Sequence, residues 1–296
     1  MTARESATGA IYDLGYRNYD GPRLGRRAAV TTLYWQSLRA AFGWGRSGKA
    51  KIVPWGLSAF AVAPAAVAAA IAALVPLEGA SPFNYDNYLF GLTAVLSLFV
   101  AAQAPELVSG DQRHRVLSLY FSHALLRVDY ALAKLGAMIT AVFIVCFAPM
   151  VVLFLGAVLA AQDVGAALGD QAENLPQVLF APLIYAAPIS ALGLAIAAWT
   201  PRRAYATGAI IAVFIVTAAV AGILEQATSG RLADWAQLVN PFVAADGARD
   251  LLVGGPNPDA AVGRTGLPLW IFGLETLLIA VAGTAAAMWR YRRVAA

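Results

Sequence analysis

The sequence has little charge and almost no cysteine or histidine. Charged residues make up 13% of its 296 residues, and hydrophobic residues make up 60%. A soluble domain carries about 25% charged and about 45–50% apolar residues, so this chain lacks the polar side chains that would cover a water-soluble core. The composition therefore excludes an ordinary soluble protein and predicts that lipid is its main solvent.

The chain has one cysteine, Cys146, and two histidines, His114 and His123. A single cysteine cannot form a disulfide within the chain. The two histidines have no second ligand pair at the spacing of a zinc site. We therefore expect neither a disulfide nor a metal centre. The formal charge of +4 is not read as a nucleic-acid signal, because the positions of the basic residues explain it better.

Six apolar runs are long enough to cross a bilayer. A span needs about 20 mostly apolar residues to cross roughly 30 Å of hydrocarbon. Only a helix satisfies its own backbone polar groups within one such segment, and the sequence lacks the alternating strands of a membrane barrel. The chain is therefore predicted to be an all-α membrane protein with six transmembrane helices. The predicted spans are Ile52–Leu77, Tyr88–Pro105, Ala131–Ala161, Val178–Trp199, Ala204–Glu225 and Leu267–Trp289.

The basic residues are unevenly distributed between the two sides of this arrangement. Eighteen of the 21 Lys and Arg residues lie before the first span, in or beside the second and fourth connections, or after the last span. The other three, Arg231, Arg249 and Arg264, lie in the fifth connection. Positive residues stay on the cytoplasmic side, so both termini are predicted to be cytoplasmic.

Two short helices are predicted outside the spans. Ala28–Trp44 places apolar residues on one helical face, and we expect an amphipathic helix along the cytoplasmic interface, within an N-terminal segment of residues 1–50. In the outer loop, residues 226–266, a short helix is predicted from Pro241 to Leu252, followed by a Gly/Pro-rich turn. Residues 51–296 then form the six-helix domain.

One glycine motif has a simpler interpretation than nucleotide binding. Gly43-x4-Gly48-Lys49 matches most of a phosphate-binding loop, but Ala50 stands where Ser or Thr would bind Mg²⁺. No strand is predicted before it. We interpret the motif as a basic linker that enters the membrane, and we do not expect the chain to hydrolyse ATP itself.

A charged motif follows in the outer loop. Asp246-Gly-Ala-Arg249-Asp250 is similar to the acidic metal site of membrane phosphatidyltransferases, but its spacing is wrong and its predicted side is the outer one. An amphipathic outer helix is the favoured interpretation. A membrane-embedded lipid-modifying enzyme is therefore the least favoured function, and the chain is predicted not to be an enzyme.

Glu275 is a carboxylate well inside a predicted span. An ionisable group at that depth is costly, and it usually faces the interior of a bundle or a water-filled route. Two interpretations stay open. Glu275 is either a pathway or coupling residue, or a carboxyl group that bonds to a neighbouring helix.

The most informative segment is the second connection, residues 106–130. It begins with two carboxylates, continues through a basic turn and reaches the apolar stretch Val116–Phe121. These apolar side chains cannot all face lipid between such charges. A short helix with one face on the protein and another toward a cytosolic partner would bury them. The alternative is a membrane-parallel helix with snorkelling arginines.

This segment resembles the coupling loop of the type-2 (export-type) permeases of ATP-binding-cassette transporters. That family's loop runs Thr-Leu-Glu-Leu-Leu-Leu-Ser-x-Pro-Leu-Ser-Arg and leads to a Gly-Lys pair. Here Val116-Leu-Ser-Leu-Tyr-Phe-Ser-His-Ala-Leu-Leu-Arg127 leads to Lys134, with Ala124 in place of Pro and Leu126 in place of Ser. The triplet Asn240-Pro-Phe242 also looks like the family's pattern ahead of its outer helix.

The resemblance implies a permease subunit of an exporter in the cytoplasmic membrane of a bacterium. It implies two copies of a separate ATPase subunit, which bind ATP and Mg²⁺, and a second permease copy or a related permease. The chain itself would bind no cofactor. The apolar spans favour a hydrophobic or amphipathic cargo, and a non-transporting membrane scaffold or sensor is the alternative. The implied ATPase-docking residues are Glu106, Asp111, Arg113, Val116, Leu117, Leu119, Tyr120, Phe121 and Arg127.

Overall fold

The computed structural model describes residues 21, 24–74, 85–114, 116–122, 125–161, 163–254 and 260–293. All regular structure in these ranges is helical, as predicted. The predicted Gly/Pro-rich turn after Gly254 and the last three residues of the first predicted span lie outside the described residues. The helices are α1 (Arg26–Ala41), α2 (Lys49–Leu74), α3 (Tyr85–Gly91), α4 (Thr93–Arg113), α5 (Leu117–Phe121), α6 (Arg127–Ala160), α7 (Val164–Gln171), α8 (Leu175–Trp199), α9 (Arg203–Ala227), α10 (Arg231–Ala236), α11 (Pro241–Val253) and α12 (Leu269–Arg293).

Six helical segments of the described chain are long and apolar enough to cross a membrane. They contain α2, α4, α6, α8, α9 and α12, and in the fourth segment a short 3-10 turn, Ala172–Asn174, joins α7 to α8. The prediction of six transmembrane helices is therefore confirmed.

The second span differs from its prediction at both ends. A break at Leu92 separates α3 from α4, and α4 continues beyond Pro105 to Arg113. A proline inside a helix leaves the carbonyl four residues earlier without its amide partner. Here that carbonyl, Ala101 O, accepts a hydrogen bond from Thr207 Oγ1 of α9 at 2.9 Å. The neighbouring helix thus satisfies the freed group, and the first residues of the predicted 106–130 loop are helical.

Most of the basic residues lie at one end of the bundle, where α6 begins and α4, α8 and α12 end. We call this the basic end. Side chains of α4 tie this end to α8, because Ser109 Oγ donates to Thr200 O at 2.9 Å and Gln112 Nε2 donates to Ala198 O at 2.8 Å. The Nη1 of Arg127, at the start of α6, donates to Arg292 O of α12 at 2.9 Å. The start of α6 and the ends of α4, α8 and α12 therefore meet at one end.

The predicted amphipathic helix is α1, and it packs along α6. Leu33, Leu38 and Ala41 on its predicted apolar face are buried. The Tyr34 hydroxyl hydrogen-bonds Thr140 Oγ1 of α6 at 2.8 Å, and its ring lies against Gly136. The apolar pattern therefore predicted the buried face correctly.

The connection from α1 to α2 turns at Gly43, whose φ of 71° lies in the left-handed region. Trp44 N donates to Arg39 O at 2.8 Å across this turn, the bond pattern that ends a helix at a glycine. A Cβ on Gly43 would lie 2.6 Å from Ala50 O, so both conformation and space require glycine. A helix end therefore precedes the Gly43–Lys49 motif, where a phosphate-binding loop would have a strand.

The predicted outer helix is α11, but it does not lie on the surface. Residues 241–250 are all buried. Asp246 contacts Tyr185 of α8, and a Cβ on Gly254 would lie 3.8 Å from Gln177, in the first turn of α8. Helix α11 thus runs antiparallel to α8 and begins deep in the bundle. We call residues 231–253 the re-entrant segment.

Candidate docking surface and buried charges

The apolar stretch of the second connection forms the short helix α5. Leu117 is buried, whereas Leu119 is 64% exposed. Behind α5, the rings of Tyr120 and Phe121 pack on the Tyr130 ring of α6, with centroids 5.6 and 6.0 Å apart. Helix α5 therefore has one face on the protein and one face free, which is the arrangement predicted from its sequence.

Glu106 joins three parts of the basic end. Its side chain is 14% exposed, and its two carboxylate oxygens form ion pairs with Arg46, from the α1–α2 connection, and with Arg203 Nη1 of α9, at 2.7 Å for the latter. Since both oxygens are engaged within the chain, Glu106 braces α4 against its neighbours in this structure.

Asp111 forms a second internal pair on the other side of α4. Its Oδ2 accepts from Lys134 Nζ at 2.9 Å and from the Tyr130 hydroxyl at 2.7 Å, and the Lys134 side chain is buried. Burial chiefly raises the pKa of the nearby Tyr120 phenol, and the charge of Asp111 adds to this rise. The carboxylate therefore positions the base of α6, where α5 rests.

The nine predicted docking residues divide by what they face. Glu106 and Asp111 are engaged in internal ion pairs. Arg127 donates to Arg292 O, and its guanidinium lies 5.6 Å from the centre of the Phe121 ring. The exposed members are Arg113 and Leu119, the half-buried ones are Val116, Tyr120, Phe121 and Arg127, and Leu117 is buried.

The exposed face around α5 combines apolar and basic groups. Leu119 and Leu126 are 64% and 53% exposed, and Arg113 and His114 are exposed at the end of α4. An exposed leucine on a short helix that follows an exposed arginine suits insertion into an apolar cleft with an acidic rim. The docking role of this face stays a prediction.

The second concentration of charge lies inside the bundle, in the re-entrant segment. Arg249 is fully buried, and its Nη2 lies 2.5 Å from Asp250 Oδ1 and 3.2 Å from Asp246 Oδ1. Tyr185 of α8 donates its hydroxyl to Asp246 Oδ1 at 2.6 Å. Paired charges of this kind are the form in which ionised groups are tolerated away from water.

The local sequence explains how this cluster reaches the interior. Asn240 Oδ1 accepts from Phe242 N at 3.0 Å and caps the start of α11, with Pro241 at the first helical position. The Phe242 ring lies 5.2 Å from Phe214 in the middle of α9. A Cβ on Gly247 would come within 2.5 Å of Phe272, so glycine lets α12 approach α11 closely.

Sequence reasoning noted this charged motif but interpreted it as the polar face of an outer helix. That interpretation is wrong, because Asp246, Arg249 and Asp250 are all buried. The available signal was the spacing of opposite charges at i and i+3 within small and apolar neighbours, which allows an ion pair to form inside one helix. The role of Tyr185 had no local signal, since it comes from another helix.

Glu275 lies on α12, next to the buried Thr276. One of its carboxylate oxygens, Oε2, is buried and has no hydrogen-bond partner among the described residues. The structure does not bring Glu275 together with the docking residues, and its role as a pathway or coupling residue stays a prediction. Within the described ranges, no three potential metal-ligating side chains come together.

Comparison with known families gives a match over most of the chain. A family model described as "ABC-2 family transporter protein" matches residues 64–282, well over half of the chain. The match spans α5, the re-entrant segment and Glu275, and it leaves out α1. No curated protein matches the chain.

Proposed function

Because the chain belongs to the ABC-2 family of transporter proteins, we propose that it is the permease subunit of an exporter driven by separate ATP-binding-cassette ATPase subunits. The observation that carries this proposal is α5, which presents the exposed Leu119 at the basic end and follows the exposed Arg113 at the end of α4. The ATPase would take this face into a cleft on its surface. ATP and Mg²⁺ would bind to the ATPase and not to this chain.

The orientation of the proposed complex follows from charge. The basic end faces the cytoplasm, because cytoplasmic connections carry an excess of Lys and Arg. Both termini then lie on that side, and so does α1, which packs along the first half of α6. The re-entrant segment opens to the opposite side. The distribution of basic residues in the sequence supports this orientation, and Arg46, Arg113 and Arg203 line one cavity at the basic end.

Contacts behind α5 provide a route for movement into the membrane. Tyr120 and Phe121 rest on Tyr130, and Tyr130 packs against Tyr291 of α12 with ring centroids 4.9 Å apart. Gln112 of α4 donates to the Tyr291 hydroxyl at 3.2 Å. A displacement of α5 therefore acts on α4, α6 and α12 together.

In the proposed mechanism, ATP binding closes two ATPase subunits and moves the two docked α5 helices toward each other. The spans then change from an inward-facing to an outward-facing arrangement. ATP shifts this equilibrium only through a difference in its affinity for the two states. Hydrolysis and release restore the first state.

The second permease copy and the nature of the cargo are also proposals. Helices α2, α9 and α12 are mostly unburied within the chain, and their exposed residues are strongly apolar. On α9 these include Ile215, Val216 and Ile223. Such faces suit lipid, a second permease and a hydrophobic or amphipathic cargo, and all three would use different parts of them.

The docking proposal is tested by co-purifying the chain with a candidate ATP-binding-cassette ATPase subunit from the same organism. Leu119→Asp places a charge on the exposed face of α5, and we expect it to abolish stable association. Leu119 suits this test better than Leu117 or Asp111, because those two side chains make internal contacts whose loss would disturb the fold.

Leu232→Asp is the matched control. Leu232 is 65% exposed, close to the value for Leu119, and it lies on α10 in the re-entrant segment. Both variants should be as stable as the unchanged protein in detergent, and only Leu119→Asp should lose the ATPase. If both variants retain the ATPase, or the unchanged chain never binds one, the assignment of α5 as the docking helix is wrong.

A further inference from the structure

An apolar groove of about 580 Å³ lies between α1, α2 and α6, on the side of the bundle at the basic end. Its mouth carries three exposed tryptophans, Trp35, Trp44 and Trp55. Its inner wall is formed by small and apolar side chains of α2 and α6, such as Ala59 and Ala148. The family match begins inside α2, so α1 and the mouth of this groove lie outside it.

The groove runs from the basic end toward the middle of the membrane. On α2 its lining extends from Trp55 to Val62, and at about 1.5 Å per residue this is roughly 10 Å. That length is about a third of the hydrocarbon thickness of a bilayer. Tryptophan is enriched at the boundary between headgroups and hydrocarbon, so the three tryptophans place the mouth at that boundary.

The mouth also carries a positive charge. Arg39 lines the groove, is exposed, and makes no side-chain hydrogen bond or ion pair with any other residue in the described ranges. No carboxylate occurs among the described residues that line the groove. A guanidinium presents several donors that match a phosphate group.

The positions of Arg39 and of the apolar wall determine which class of ligand fits the groove. A cation lies at the shallow end and an apolar wall lies at the deep end, so a ligand with an anionic head and a hydrocarbon tail satisfies both. A soluble anion would leave the apolar wall empty, and an uncharged hydrophobe would leave Arg39 unused. The occupant must also reach the site sideways from the bilayer, because the groove opens between helices of a membrane domain.

We propose that this groove binds an anionic phospholipid from the leaflet at the basic end, with its phosphate on Arg39 and one acyl chain along α2 and α6. Through α1, the lipid would hold the α1–α2 connection, and Arg46 of that connection pairs with Glu106. The site is thus connected to the Arg46–Glu106 ion pair through the α1–α2 connection, and none of the predicted docking residues lines it.

The tryptophans provide the test. The sequence has seven, and replacing Trp199, Trp235, Trp270 and Trp289 with Phe confines the emission to the groove. The protein is reconstituted into vesicles that contain brominated phosphatidylglycerol or brominated phosphatidylcholine, and quenching is compared at equal mole fraction. We expect phosphatidylglycerol to bind in the groove about fivefold better than phosphatidylcholine, because one basic residue near a membrane surface provides about this much preference for an anionic lipid.

Three variants locate the effect. Arg39→Gln should lower the ratio of phosphatidylglycerol to phosphatidylcholine binding to about one. Arg27→Gln, which removes an exposed cation from the other end of α1, should leave this ratio unchanged. Ala59→Phe, which fills the groove, should reduce quenching by both lipids. A preference that survives Arg39→Gln, one that is lost equally in Arg27→Gln, or quenching unaffected by Ala59→Phe would each overturn the proposal.

A second measurement covers the case in which the four-phenylalanine variant does not fold. Native mass spectrometry of the chain with all its tryptophans counts retained phosphatidylglycerol and phosphatidylcholine. The unchanged protein and Arg27→Gln should retain an excess of phosphatidylglycerol that Arg39→Gln lacks. Equal retention of the two lipids by the unchanged protein would contradict the proposal, whatever the fate of the ATPase-docking assignment.

Discussion

The basic end and the re-entrant segment both hold opposite charges in contact, but water reaches only one of them. At the basic end, Arg46 and Arg203 are 37% and 58% exposed while they pair with Glu106. In the re-entrant segment, Arg249 and Asp246 are 0% and 2% exposed. When a pair opens at the basic end, water solvates its partners, whereas the buried pair has no such replacement.

This difference separates a part suited to movement from a part suited to rigidity. Exposed ion pairs contribute about 0–1 kcal/mol and exchange partners at little cost. Removing one partner of a buried pair leaves an uncompensated charge and costs about 3–5 kcal/mol. We infer that the pairs at the basic end rearrange during a transport cycle, while the cluster on α11 keeps the re-entrant segment seated between α8 and α12.

The largest effect is expected from Arg249→Met. The substitution leaves two carboxylates together in the interior and should reduce the free energy of unfolding by about 3–5 kcal/mol. Unfolding in mixed detergent–SDS micelles measures the change. Arg264→Met is the control, because Arg264 pairs with Glu225 at 3.0 Å but is half exposed, and it should lose about 0–1 kcal/mol.

The comparison is sharpened by removing the whole cluster. Apolar residues at Asp246, Arg249 and Asp250, with Tyr185→Phe, should recover much of the stability lost in Arg249→Met, since no buried charge then remains unpaired. If Arg249→Met and Arg264→Met destabilise the protein equally, the cluster is hydrated and the distinction between the two regions fails.

Two glycine-to-alanine substitutions, one in each region, should change the free energy of unfolding in opposite directions. Gly247→Ala places a Cβ within 2.5 Å of Phe272 and should destabilise the protein by about 1–3 kcal/mol. Gly110→Ala in α4 meets nothing within 4 Å and should stabilise it by about 0.5–1 kcal/mol. The same unfolding assay measures both, and a neutral Gly247→Ala would show that α11 and α12 separate easily.

A smaller effect is expected from Glu106→Gln at the basic end. The amide keeps the size of the side chain but loses its charge, and the loss should be about 1 kcal/mol because both arginines are partly solvated. The difference from the unchanged protein should shrink in about 1 M salt, where the Debye length is about 3 Å. The effect of Arg249→Met should persist there, and equal salt dependence of the two would contradict the comparison.

The sequence was sufficient for the features that depend on local pattern. Apolar length predicted the six spans, and helical periodicity predicted the buried face of α1, because membrane thickness and helix geometry impose both. The continuation of α4 beyond Pro105 was not predictable in this way. It depends on the Thr207 hydroxyl, which comes from α9 and satisfies the freed carbonyl of Ala101.

The candidate docking surface was also only partly predictable from the sequence. The free face of α5 was expected from apolar residues between charges, and Leu119 is indeed exposed. The carboxylates Glu106 and Asp111 were assigned to the same docking surface, and this role stays a prediction. Their ion pairs with Arg203 and Lys134 were not predictable, because these partners come from other helices. Burial of Arg249 likewise depends on contacts that only the assembled bundle creates.

The smallest effect is expected from Arg26→Gln, at another exposed ion pair of the chain. Arg26 forms a two-point pair with Asp129, in which Nε and Nη2 each lie 2.6 Å from a carboxylate oxygen. This bond raises the pKa of the Arg26 guanidinium above its usual value, so the stabilisation is present below that value and is lost only at higher pH. The variant should therefore show the same small change in melting temperature at any pH between about 6 and 9.

The change stays small because Asp129 keeps its bond from Leu126 N at 3.1 Å, at the start of α6, and because water replaces the guanidinium. Asp129→Ala should lower the melting temperature more than Arg26→Gln, since it removes this cap as well. If Arg26→Gln instead approaches the effect of Arg249→Met, solvent exposure does not govern the strength of charge pairs in this protein.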